Sequence, residues 1–349
     1  MSHSRFESVG AYLPAESVAT RQLISALTAP PSFDFEAVTG VVERRVRSTA
    51  PDDFEDSYAL AVKAARDCLS RSRYDAGDLD AIVSVSITRS RGGDVIYFEP
   101  SFASMLAKEL GATRAIHFDV SNACAGMMTG TYLMDSMIRS GAIERAMVVS
   151  GEAITPISDT AVRELGTGYD PQFASLSVGD SASAVILDRS DDDADRIHYV
   201  DLFTAAEYAD ACLGMPSDRS QGIALYTDNR RMHNEARFTL WTDGLADCLA
   251  ARGRSFVDEE FDYVIHHQFG AGAVIAMNKL GEREFGVPMP PPLNVIEKYG
   301  NTSTTSHFVV LAEHLRSGAI PAGAKLLMVP AASGIVTGYL SATISNLEA

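Results

Sequence analysis

Apolar positions along this chain follow two alternating rhythms. In DSYALAVKAARDCLSRS (56–72) they recur at helical spacing, and the next apolar run, AIVSVSI (81–87), is continuous, as in a strand buried on both faces. The same alternation predicts a helix over 101–110, a strand over 115–120 (AIHFDV), a helix following Cys124 and a strand over 146–150 (AMVVS). Strands that alternate with helices in this way predict an α/β protein with helices packed on a mostly parallel sheet. The acidic stretch DRSDDDAD (188–195) breaks the pattern and reads as a solvated turn near the junction of two halves, 1–190 and 191–349.

Those halves resemble each other. GAIERAMVVSG (141–151) is similar to GAIPAGAKLLMVP (318–330), and DLDAIVSVS (78–86) to EFDYVIHHQ (260–268). Gly141 lies seventeen positions after Cys124, and Gly318 seventeen positions after Asn301. Cys124 and Asn301 are therefore expected in equivalent loops of a duplicated α/β unit, near the joint where such sheets bind ligands.

Composition narrows the function classes. The chain has 349 residues, 46% of them hydrophobic and 21% charged, which is ample for a large buried core. A net charge of −17 argues against nucleic acid or an anionic membrane as partner. Cys68, Cys124, Cys212 and Cys248 show no metal-ligand spacing, so no zinc site is expected and the thiols read as reduced. The opening MSHSRFESVGAYLP lacks a signal-peptide pattern, and no run of about 18 apolar residues suggests a membrane span. The expectation is a soluble cytoplasmic protein.

Three residues stand where chemistry is plausible. Cys124, in SNACAGMM, follows a strand and opens a helix, so backbone N–H groups and the helix dipole should lower its pKa. A buried structural thiol is the bland alternative. His267, in HHQFGAG, ends a strand of the second half, where an acid/base or electrophilic group would sit. His266 is its rival, and strand alternation puts the two on opposite faces. Asn301, in YGNTSTTSH, reads either as a helix cap or as an amide donor that pairs with a neutral imidazole to hold an enolate oxygen.

Taken in order, VTGVVERRV (38–46), ACAG, GAIERAMVV, VGDSASAVIL (178–187), HHQ, GNTSTTS and SGIVTGY resemble β-ketoacyl-acyl-carrier-protein synthase III and its relatives in the thiolase superfamily. The resemblance implies a five-layered αβαβα thiolase fold with two similar halves, and a homodimer. It implies substrates that are acyl-CoA or acyl-carrier-protein thioesters, and no cofactor. By motif, Cys124 is the acyl-accepting nucleophile, and His267 and Asn301 hold the second thioester and its enolate. The N–H groups of Cys124 and Ser333 form an oxyanion hole, with Phe269 and Gly334 beside the substrate. The usual triple glycine reads Ala332-Ser333-Gly334 here, and the usual HQAN reads HQFG. Carrier-binding positions also depart from the pattern, with Gly272 in place of a basic residue and Asp34 and Val38 in place of an aromatic–arginine clamp.

The most informative departure is Glu99 in YFEPS. It is similar to the glutamate of ketosynthases that join two acyl thioesters head to head in olefin synthesis, and of those that form α-pyrones or dialkylresorcinols. The resemblance implies that Glu99 crosses the dimer to remove the α-proton of the second acyl chain, which a malonyl thioester does not require. Burial beside that chain should raise its pKa. The expected function is a Claisen-type ketosynthase in secondary metabolism. The alternatives are a decarboxylative initiator using malonyl carrier protein, an acyltransferase to oxygen or nitrogen, and a non-catalytic scaffold. Residues 200–240 and the lone Trp241 fall where substrate-channel segments vary in the family.

Overall fold

The computed structural model describes residues 3–166, 170–232, 235–347 and 349. Two residues of the 200–240 stretch, 233 and 234, lie outside these. The first sheet has five strands in the order His3–Tyr12, Ser181–Ser190, Arg145–Glu152, Ala81–Ser84, Ile116–Asp119. The first two pairings are antiparallel and the last two parallel. In the second sheet Arg196–Thr204 pairs with Val336–Ile344, which pairs with Ala324–Val329, itself parallel to Tyr263–His266. The order and the directions repeat those of the first sheet. Its fifth position is reduced to one parallel bridge, Val264 with Pro292. Pro290, Pro291 and Pro292 lack the N–H groups that a ladder requires.

Side-chain alternation along these strands sets the layers. Ala81, Val83, Val148, Val185 and Leu187 of the first sheet, and Ile265, Leu326, Met328 and Leu340 of the second, share a core with Met127, Met128, Met134, Phe308 and Leu311. Those last five lie on two helices, Gly126–Arg139 and Ser306–Arg316, which fill the space between the sheets. The intervening strand residues face outward. Ile82, Met147, Val149 and Ile186 pack on the helices Ser57–Arg71 and Phe102–Leu110. Val264, Leu327, Val329 and Tyr339 pack with Trp241, Leu245, Leu249 and Met277 of the helices Glu235–Ala250 and Ala271–Phe285. The result is the five-layered αβαβα thiolase fold, with both sheets covered on both faces. No helix among the described residues is long and apolar enough to cross a membrane.

Local chemistry fixes the helix ends. Asp56 caps Ser57–Arg71 by accepting the Ala59 N–H at 2.9 Å, and Ser101 caps Phe102–Leu110 through Ser104 N–H at 3.1 Å. Asp119 adds a carboxylate on the Phe102 and Ala103 N–H groups, both at 2.8 Å.

One expectation needs correction. The acidic stretch 188–195 is only partly solvated. Asp191 to Asp193 are exposed, but Asp188 and Asp195 are buried because both accept from Arg5, at 2.8 Å each. Trp241 belongs to the core, where its ring packs against His266 and Phe285.

Gly126 starts the first central helix in close contact with the end of a sheet strand and with Thr304. A Cβ there would lie 2.8 Å from the Val85 carbonyl oxygen and 2.9 Å from Thr304 Cγ2. Gly126→Ala should therefore lower unfolding free energy by about 1–3 kcal/mol in denaturant titration. Gly77→Ala, with nothing within 4 Å of the added carbon, should change it by less than about 0.5 kcal/mol. Equal stability of the two variants would contradict this packing.

Candidate active site

Each central helix is entered by the same device. The 3₁₀ turn Ala123–Ala125 leads into Gly126–Arg139, and the turn Ser303–Thr305 leads into Ser306–Arg316. The first residue of each turn has a positive φ, 45° at Ala123 and 56° at Ser303, a conformation that non-glycine residues adopt at some cost. The two turns touch, and Thr304 Oγ1 donates to the Ala123 carbonyl at 3.0 Å. Cys124 and Asn301 thus lie in equivalent loops, but the register differs from the one that equal spacing suggests. Cys124, in the middle of its turn, corresponds to Thr304, and Asn301 stands three residues earlier. The second helix is shorter by that amount, which restores the common distance to Gly318.

Cys124 is half-buried, and its Sγ lies 3.5 Å from Ser303 Oγ. Burial pushes the thiol up to about 12, opposed by the Ser303 hydroxyl and by the cysteine's own N–H. This corrects the expectation of a lowered pKa. One helix end supplies at most about 2 kcal/mol, less than the desolvation of a thiolate in this setting. The shift favours the thiol over the thiolate at Cys124.

Asn301 is held by backbone on both sides, its N–H donating to Ser177 at 2.8 Å and its carbonyl accepting from Gly179 at 3.0 Å. Its Oδ1 accepts the Ser303 N–H at 2.9 Å. That bond makes the amide NH₂ the outward, donating end of the side chain. The capping and donor readings of Asn301 are therefore compatible.

His267 continues the strand Tyr263–His266, its N–H donating to the Val329 carbonyl at 3.1 Å. Its Nδ1 lies 2.7 Å from Ser306 Oγ, and its ring packs at 5.8 Å on Phe269 and at 5.9 Å on His307. Burial, with a contribution from His307, pulls its pKa down to about 3, so the imidazole is neutral. His266 faces the other side, bonded to Asn278 at 3.1 Å and packed on Trp241. Segment 301–307 is thus the common element: it touches Cys124 through Ser303 and His267 through Ser306.

Ala332 packs with Ala125 and Cys124, which brings the Ala332-Ser333-Gly334 tract to the cysteine turn. Gly334 has φ 72° and Ile335 φ 45°, an uncommon conformation for a β-branched residue. Phe269, in the place of a small residue, stacks on Phe238 at 6.4 Å and so extends an aromatic wall from the histidine. Asp34 caps the short helix Phe35–Thr39 by accepting the Ala37 N–H at 3.0 Å, and Val38 and Gly272 are exposed nearby.

Glu99 is exposed, and among the described residues it shares no hydrogen bond or ion pair with Cys124, His267 or Asn301. Within one chain it is not buried. Ser303, Ser306 and His307 are site residues that sequence reasoning missed. The signal was the hydroxyl-rich run Thr302 to Ser306, which a helix start alone does not require.

Residues 118–206 match the family described as 3-oxoacyl-[acyl-carrier-protein (ACP)] synthase III, and residues 254–344 match its C-terminal part. The chain is 29% identical over 347 residues to Beta-ketoacyl-[acyl-carrier-protein] synthase III of Alkalilimnicola ehrlichii, covering 97% of this chain and 98% of that protein. In structure it is similar to a variant of Xanthomonas campestris OleA with bound lauric acid and lauroyl-CoA, with a TM-score of 0.81, 20% identity and coverage of 98% of this chain and 99% of that one. It is also similar to 3-oxoacyl-(acyl carrier protein) synthase III, FabH, of Pseudomonas aeruginosa PAO1, with a TM-score of 0.77, 21% identity and 98% coverage of both chains.

A thiol held near 12 should be alkylated slowly at neutral pH. Because only the thiolate reacts, the rate of iodoacetamide labelling at Cys124, followed by peptide mass spectrometry, should rise about tenfold per pH unit from 6 to 9. A plateau reached near pH 7 would show instead that the resting sulfur is already ionised.

Proposed function

Because the chain belongs to the 3-oxoacyl-[acyl-carrier-protein] synthase III family, whose chemistry is acyl transfer with carbon–carbon bond formation, we propose that it joins two acyl thioesters by a Claisen condensation. The observation that carries this reading is segment 301–307, which links the Cys124 sulfur to the His267 imidazole through Ser303 and Ser306 and begins at Asn301, whose Oδ1 accepts the Ser303 N–H.

In the first half-reaction the Cys124 sulfur attacks the carbonyl carbon of an acyl thioester. Its proton leaves with the departing carrier thiol, and the N–H groups of Cys124 and Ser333 hold the oxyanion. In the second, a carboxylate takes the α-proton of another acyl thioester. The Asn301 amide and the His267 imidazole stabilise the enolate oxygen, and the carbanion attacks the acyl-Cys124 carbonyl. Collapse expels the Cys124 thiolate and frees a β-keto thioester. Neither half requires a metal or an organic cofactor.

The carboxylate is assigned to Glu99 of the partner subunit. Support comes from its surroundings: Val95, Ile96 and Phe98 are exposed, Phe98 at 85%, on the loop that carries Glu99. Ile116 is exposed on the strand at the open edge of the first sheet. An apolar loop and an unpaired strand edge are surfaces that a second copy of the chain would cover. The acyl groups are assigned to coenzyme A or a carrier protein, in keeping with the names of the relatives and with the lauroyl-CoA bound to the OleA variant. A base that spares decarboxylation fits a step of secondary metabolism better than fatty-acid initiation.

The decarboxylative reading, with a malonyl thioester as donor, draws on the synthase III names of the relatives and predicts a dispensable Glu99. Intact-protein mass spectrometry after incubation with acyl-CoAs separates the two. Wild type and Glu99→Gln should both gain one acyl mass, and Cys124→Ala none. Only wild type should make a β-keto product from two acyl-CoAs, the variant losing at least about 100-fold. A Glu99→Gln protein that condenses with malonyl thioester at the wild-type rate would establish the decarboxylative reading instead.

A further inference from the structure

The proton positions around His267 can be assigned by counting donors. Ser306 Oγ lies 2.7 Å from His267 Nδ1. A hydroxyl at the start of a helix usually donates to the carbonyl four residues back, here that of Thr302. That oxygen already accepts from Thr305 Oγ1 at 2.8 Å and from the Thr305 N–H at 3.4 Å, which occupies both its lone pairs. Among the described residues no other acceptor lies against the buried Ser306 hydroxyl, so its single proton goes to His267 Nδ1. An imidazole that accepts at Nδ1 and stays neutral carries its proton on Nε2.

His307 closes the arrangement from the side. Its Nε2 donates to the Val329 carbonyl at 3.1 Å, the same oxygen that accepts the His267 backbone N–H. The His307 Nδ1 is thereby left as a lone pair, sealed in the core without a donor. It offers His267 no proton. Of the His267 ring nitrogens, Nδ1 is occupied by Ser306, and Nε2 is the free one.

We infer that Ser306 is a positioning residue that fixes the His267 tautomer, so that the Nε2–H faces the substrate as a donor and not as a base. The inference rests on the condensation proposed above, in which a developing enolate oxygen needs donors. The opposite tautomer would point a lone pair at that oxygen. Burial and the neighbouring His307 keep the ring uncharged, so the tautomer alone decides what Nε2 offers. Acylation of Cys124 uses backbone donors and should not depend on it.

The test uses full-length protein labelled with ¹⁵N-histidine, with the His267 ring signals assigned by their loss in His267→Gln. Without substrate at neutral pH, wild type should show a protonated Nε2 and an unprotonated Nδ1. A proton on Nδ1 would overturn the inference. In single-turnover assays, Ser306→Ala should acylate Cys124 at the wild-type rate yet condense about tenfold more slowly, a part of the roughly 100-fold worth of one oxyanion-type donor. Ser306→Thr, which keeps the hydroxyl, should restore condensation. Equal slowing of both half-reactions, or of neither, would overturn the positioning role. Should Ser306→Ala fail to fold, the wild-type tautomer decides alone. A wild-type protein that never acylates Cys124 would defeat the condensation reading and leave the tautomer measurement standing.

Discussion

Thr304 donates its hydroxyl to the Ala123 carbonyl, and this contact between two helix-opening turns is the point on which the proposed chemistry depends. The two central helices are enclosed by sheets on either side, so their starting points are set by packing. Gly126 admits the Val85 carbonyl and the Thr304 methyl where any side chain would collide. Once the turns meet, Cys124 must lie beside Ser303, and Ser306 must reach the histidine at the end of the neighbouring strand. The site is the mouth of the two-helix layer, built from backbone that the core holds in place.

The electrostatics of that site are those of neutral groups. Burial leaves Cys124 a thiol and His267 an uncharged imidazole. An ion pair of cysteine and histidine, as in many thiol hydrolases, is therefore not the resting state. A site of this kind is suited to stabilising charge as it develops on a substrate oxygen, with the Asn301 amide and the His267 ring as donors already oriented. No charged side chain contacts either residue among the described hydrogen bonds, and the one carboxylate the reaction requires is assigned to a second copy.

Much of this was legible in the sequence. The apolar runs at 81–87 and 146–150 hold strands buried on both faces, the first ending at Ser84 with Ile87 exposed beyond it, and the likeness of 141–151 to 318–330 reflects two sheets of identical strand order. Other features were not legible, for physical reasons. Three successive prolines erase the strand that would have completed the repeat. Asp188 and Asp195 look like solvent residues until Arg5, nearly the whole half away in sequence, pairs with both. The cysteine's ionisation depends on burial, which spacing does not encode. Ser306 and His307 sit in a run of hydroxyl residues that reads as an ordinary helix start, and only the fold turns one of them toward His267. Glu99 was legible as a departure from its family, but within one chain it is exposed and bonds to none of Cys124, His267 and Asn301.

The account stands on one covalent intermediate serving two successive half-reactions at Cys124. Initial-rate kinetics with both thioesters varied test it most directly. A ping-pong pattern, with parallel lines in double-reciprocal form, is the predicted result, since the first carrier thiol leaves before the second thioester reacts. Intersecting lines, which require both thioesters bound before any product departs, would contradict it.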